Sequence, residues 1–144
     1  MINHIVDAVS IAIDSEFNET ADTYTIYTES LEQGLKEPCF FIFCINPTND
    51  LFLNKRYFRS NQFCIQYFPS THERKAEINA VIERLYNCLD VVTVNGDLTR
   101  GMKMTSEMVD GVLNFFVNYD MFIYKVEAPQ DMMDSVNVNS DAKG

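Results

Sequence analysis

Apolar residues recur every three or four positions from Ile2 to Phe17. Ile5, Val9, Ala12 and Ile13 form the stripe, Ile2, Val6 and Phe17 extend it, and Asn3, Asp7, Ser10 and Asp14 lie opposite, with Ile11 the one apolar exception. This spacing predicts an amphipathic helix laid on an apolar surface. After a polar turn the run TYTIYT (23–28) has strand composition, and CFFIFCI (39–45) is apolar at every position. A strand without a polar face is expected to be buried on both sides, under helices or in a subunit interface. Pro38 and Pro47 are expected to bound it. Further on, Phe63, Ile65 and Tyr67 alternate with Gln62, Cys64 and Gln66 and stop at Pro69. These two segments are expected to pair as an antiparallel hairpin, joined by a long basic arm.

Ser70-Thr-His-Glu73 has the form of a capping box, in which Ser70 takes an amide of the first turn and Glu73 reaches back. The helix it opens should run to about Leu89, with Ile78, Val81, Ile82, Leu85 and Leu89 inward and Glu73, Glu77 and Arg84 outward. Val91–Val94 reads as a short strand ending in the Asn95-Gly96 turn. Residues 98–109 and 112–126 read as two extended arms meeting at Asp110-Gly111, a type I′ hairpin signal. In the second arm Leu113, Phe115, Val117 and Tyr119 alternate with Asn114, Phe116 and Asn118, and Gly101 in the first suggests a bulge.

The elements add up to an α+β fold: an antiparallel β-sheet with two α-helices packed on one face. Residues 1–126 form that domain, and 127–144 an acidic C-terminal tail with no apolar period. Two helices cannot cover both faces of the sheet. Phe41, Phe43, Phe116 and Phe122 compete with Phe40, Ile42, Phe115 and Ile123 for the covered side. A second apolar surface, buried by oligomerisation, is therefore expected.

At 144 residues, 47% hydrophobic and 22% charged, the chain has the size and balance of one globular domain. Its net charge of −10 is unevenly placed. Residues 1–54 hold nine acids against one base, whereas 55–84 hold six bases against three acids. Seven acids and no base across 1–35 argue against a nucleic-acid face, which needs a broad basic surface. The separation suits complementary protein surfaces. Cys39, Cys44, Cys64 and Cys88 follow no metal-ligand or redox spacing and are expected to be reduced thiols of a cytosolic protein. No apolar run approaches the ~20 residues of a membrane helix, so a soluble protein without a membrane partner is expected.

The chain offers no catalytic constellation, so no catalytic residue, metal ligand or cofactor is assigned. Phosphate-cradling and hydrolase motifs are missing, and the five glycines are scattered. His4 and His72 fit surface or capping roles. Cys64 with His72 could be a nucleophile pair, but Cys64 lies mid-strand, away from the settings that lower a thiol pKa. Asp131 and Asp134 resemble half of a calcium loop without its Gly and Glu.

What stands out is NPTNDLFLNKRYFRSNQFCIQYFP (46–69), which gathers Lys55, Arg56 and Arg59 around Tyr57 and Phe58. Such an arm is either a hairpin kept soluble by its charges or a docking edge for a protein partner. With PCFFIFCI, ERKAEINAVIERLYNCL and MVDGVLNFFVNYDMFIY around it, the chain resembles the tail terminator family of bacteriophages and phage-tail-like particles over residues 1–126. The resemblance implies a homo-oligomeric ring, usually a hexamer, on the last ring of the tail tube. It implies a structural protein that stops tube polymerisation, presents a surface to a head connector, and in contractile tails can touch the sheath protein. The particle would be a virion or a headless, bacteriocin-like tail assembled in the bacterial cytoplasm, with no specific nucleic acid bound. On this reading Lys55, Arg56, Tyr57 and Arg59 contact a neighbour or the tube, and Asp131, Met132 and Met133 in the tail make a second contact. Another ring-forming head–tail connector, a cysteine-dependent enzyme and a nucleic-acid regulator are the competing readings.

Overall fold

The structure is a computed structural model and describes residues 1–29 and 34–125. The expected α+β arrangement is present. Helix α1 (Ile2–Phe17) and helix α2 (Arg74–Cys88) share one core with one face of a six-stranded sheet. Its strands are β1 (Thr25–Tyr27), β2 (Cys39–Leu53), β3 (Arg56–Phe68), β6 (Met102–Val109), β7 (Val112–Asn118) and β8 (Met121–Tyr124). They run in the order β1-β2-β3-β7-β6, with β8 pairing β3 beyond the end of β7. All pairs are antiparallel except β1 with β2, so the sheet is mixed rather than purely antiparallel. Strands β4 (Val91–Val94) and β5 (Asp97–Arg100) form a separate hairpin.

Period and register decide which residues enter the core. Ile5, Val9, Ile13 and Phe17 of α1 and Ile78, Val81 and Leu85 of α2 are buried, while Ile11 is exposed as its position predicts. Phe40 stands opposite Tyr67, and Ile42 opposite Ile65, which in turn faces Phe115. Those five, with Phe63, Leu113 and Val117, supply the sheet side of the core. Phe41, Phe43 and Phe116 fall on the other face and are only half-buried there, as the count of aromatic residues required. Phe41 and Phe43 pack edge to face, 5.4 Å apart, so the second face is partly closed by its own rings.

Several boundaries differ from the sequence expectation. Pro47 does not end β2. A register shift between Ile45 and Thr48, with Asn46 at φ 49°, absorbs the proline as a bulge, and pairing resumes to Leu53. Gly101 is the point where the chain leaves one sheet for the other. Its N–H donates to the Asp90 carbonyl at 2.7 Å, and a Cβ there would lie 2.4 Å from the Leu89 carbonyl oxygen. The irregularity expected in this arm follows directly after Gly101, as a register shift between Met102 and Thr105 with Lys103 at φ 55°. The Asp110-Gly111 hairpin is as expected, with φ 52° and 75°.

The capping carboxylate at α2 is also different. The helix starts at Arg74, and Glu73 makes no side-chain cap. Glu77, expected to point outward, instead folds back and accepts from Ser70 N at 3.1 Å, Thr71 N at 3.0 Å, Thr71 Oγ1 at 2.6 Å and the Tyr67 hydroxyl. Tyr67 explains the choice, because its buried hydroxyl needs an acceptor at the end of β3. Arg84 is not simply solvated either. It pairs with Glu16 at 3.0 Å and lies over the Phe17 ring, joining the two helices.

Candidate functional site

The stretch from Thr48 to Ser60 is strand throughout, apart from the Asn54-Lys55 turn, where Asn54 takes φ 54°. Its two limbs pair from Thr48 opposite Ser60 to Leu53 opposite Arg56. The basic arm is therefore the distal half of the β2–β3 hairpin rather than a connecting loop. Strand β8 lies along its other side, from Met121 opposite Arg59 to Tyr124 opposite Arg56. The result is a three-stranded extension of the sheet. Its pairing continues one residue further, with Lys125 N donating to the Lys55 carbonyl at 2.8 Å.

A break after β7 lets β8 join the arm, and Asn61 makes that break. This buried side chain donates to the Tyr119 carbonyl at 3.1 Å, while Tyr119 N donates to the Asn61 carbonyl at 2.9 Å. Tyr119 adds a buried bond from its hydroxyl to the Leu89 carbonyl at 2.8 Å. The junction between domain and arm is thus fixed by hydrogen bonds that have no route to water.

The residues expected to dock do not gather on one face. Lys55 is exposed in the tip turn. Arg56 and Phe58 alternate with Tyr57 and Arg59, so the two pairs occupy opposite sides of the arm. Arg59 donates from Nε to Asn49 Oδ1 at 2.9 Å, and Lys125 lies over the Tyr57 ring at 6.0 Å. On the other side the Arg56 guanidinium sits 5.9, 5.0 and 5.7 Å from the ring centres of Phe52, Phe122 and Tyr124. Phe122 also packs on Phe52 and Phe58, each at 5.1 Å. Among the described residues Arg56 Nε is buried and has no hydrogen-bond partner.

Besides its basic residues, the arm exposes a set of large apolar side chains. Leu51, Phe52, Leu53, Phe122 and Tyr124 are all more than half exposed. The runs Leu-Phe-Leu (51–53) and Phe-Ile-Tyr (122–124) carry that signal in the sequence. Asp131, Met132 and Met133, the remaining candidates, lie outside the described residues, as does Asp134.

The alternative chemistries find little support in the geometry. Burial, helped by Glu107, pushes the Cys64 thiol up to about 11, and its Sγ lies 3.8 Å from Asn114 Oδ1 rather than beside a base. Burial also raises Cys39 to about 11, Cys88 to about 12, and Cys44 to a lesser degree. His4 shares a bond with Asn95 at 3.1 Å, and His72 is exposed. Among the described residues no group of three metal-ligating side chains comes together, and no helix is long and apolar enough to cross a membrane.

A family model described as phage tail terminator protein matches residues 4–131 of this chain. No curated protein matches it. One solved structure aligns over 85% of this chain and 97% of its own length at 11% identity, with a TM-score of 0.32, a likeness too weak to argue from.

Proposed function

Because this chain belongs to the phage tail terminator family, we propose that it is a non-enzymatic ring protein that closes the end of a tail tube. Membership places it among structural proteins of phage tails; the ring, its hexameric count and the capping step are our reading. The observation that supports them best is the arm. It carries a three-stranded edge that leaves Leu51, Phe52, Leu53, Phe122 and Tyr124 more than half exposed, with an arginine held among its rings, and such side chains are costly to leave in water. A ring of identical chains joins unlike surfaces head to tail. The acidic N-terminal third and the basic segment 55–84 provide surfaces of opposite sign for that purpose. The free side of the ring would meet a head connector, or the last sheath ring where the tail is contractile. The assembled location is then a virion or a headless tail particle, put together in the bacterial cytoplasm.

Growing tail tubes with and without the purified chain tests this. A terminator bound at one end, seen by electron microscopy, should hold tube length fixed as subunits are added. Tubes that lengthen equally in its presence would rule the capping role out, and binding to the portal side alone would favour a head–tail connector.

A further inference from the structure

The apolar face of the arm forms a groove lined by Asp50, Leu51, Phe52, Phe58 and Phe122. Beside it, Arg56 holds a guanidinium whose Nε has no acceptor among the described residues. A buried cationic donor without an acceptor is expensive, and a carboxylate is the group that relieves it best, since it can take two parallel N–H bonds. The ligand chemistry that fits is an extended segment carrying carboxylates and flexible apolar side chains. Residues 127–138 (EAPQDMMDSVNV) have that composition: three acids, no base, and Met132, Met133, Val136 and Val138. Methionine adapts to irregular apolar grooves and packs favourably on aromatic rings.

The path of the chain indicates which copy supplies this segment. Strand β8 runs toward the tip of the arm, and its last pair joins Lys125 to Lys55. The described chain therefore ends at the tip, past its own groove, which lies behind it at the level of Phe122 and Phe58. Filling its own groove would need a full reversal back over the strand it has just left. Extended, twelve residues span about 40 Å, enough to reach the same groove on a neighbour.

We propose that residues 127–138 of one copy lie in the Phe52–Phe58–Phe122 groove of a second copy, with Asp131 or Asp134 on Arg56; this rests on the ring reading above. It joins the arm and the C-terminal segment in one contact, and it makes each junction of the ring a two-part exchange.

Mixing an Asp50→Cys chain with a Gln130→Cys chain under mild oxidation tests it, with assembly followed by light scattering. The expected result is a covalent dimer of the two variants. Arg56→Glu in the Asp50→Cys chain should lower its yield about tenfold or more, and adding Asp131→Lys and Asp134→Lys to the other chain should restore it. Restoration also shows that the Arg56→Glu chain is folded. A chain carrying both cysteines should cross-link to its neighbours; closure on itself at monomer mass would overturn the proposal. So would an assembled protein that yields no cross-link, and then the ring reading would stand alone. A wild-type chain that stays monomeric both in solution and on tube ends would remove the ring reading first.

Discussion

Glu77 shows how one side chain can decide where a helix begins. Burial alone would raise its pKa, but the bonds from Thr71, Tyr67 and Ser70 outweigh that and hold it below the usual glutamate range. A depressed folded-state pKa contributes stability that is present above the unfolded value and is lost as pH falls through the folded one. Glu77→Gln should therefore lower stability at neutral pH and flatten the acid limb of the stability profile, measured by denaturant titration between pH 7 and pH 3. An unchanged acid limb would mean that the carboxylate is not held as described. Gly101 is a second deciding residue, and for a steric reason. Its Cβ would meet the Leu89 carbonyl, which also accepts from Tyr119, so the backbone there has no room to move. Gly101→Ala should cost about 1–3 kcal/mol and lower the melting temperature, whereas Gly96→Ala meets no atom nearby and is opposed only by its φ of 86°. The raised thiols of Cys39, Cys64 and Cys88 lead to a third expectation. At pH 8 a thiol reagent should label the native chain slowly and the unfolded chain at all four cysteines; fast native labelling at Cys64 would reopen the nucleophile reading.

Among the elements, the arm depends on how β8 is placed, and β8 depends on Asn61. Asn61→Ala leaves the Tyr119 carbonyl without its donor in a buried setting, which costs about 1–3 kcal/mol. The arm should suffer first. Amide exchange should quicken at residues 56–59 and 121–124 before it does in β7, and uniform loss across the sheet would argue against a separate junction. The same element marks the limit of what the sequence discloses. Both helices, the Phe63–Tyr67 strand and the Asp110-Gly111 hairpin were legible, because a core face imposes period and a tight turn imposes composition. The continuation of β2 past Pro47 was not, since a bulge can place a proline in a paired strand without any change in local pattern. Nor was the split of residues 112–126 into β7 and β8, which is caused by a partner 58 residues away. The candidate site depends on the same pairings. Its charged residues were visible, but the grouping of Arg56 with Phe52, Phe122 and Tyr124 needs strand pairings that only the fold provides.

For the whole molecule, charge placement bears on how copies would meet in the proposed ring. A chain of net charge −10 repels its own kind at long range, yet its basic residues concentrate in the segment that carries the exposed arm. In the proposed ring, head-to-tail contact would bring that segment against an acidic surface, so that the local attraction would oppose the overall repulsion. Screening weakens both, with a Debye length of about 8 Å at physiological ionic strength. The balance differs between the two steps of assembly. Encounter is governed by the long-range field and should speed up with added salt, because like net charges are screened. The formed junction depends on short-range pairs and on apolar area, and should loosen only modestly in the same salt. Light scattering with stopped-flow mixing across about 0.05 to 0.5 M salt can separate the two, with association expected to rise and dissociation to change less. Arg59→Glu would remove one basic partner from the arm and raise the net repulsion, so it should slow association most at low salt. If association instead falls steeply with salt, the field at the arm outweighs the net charge, and the acidic N-terminal third is already oriented toward it in the encounter.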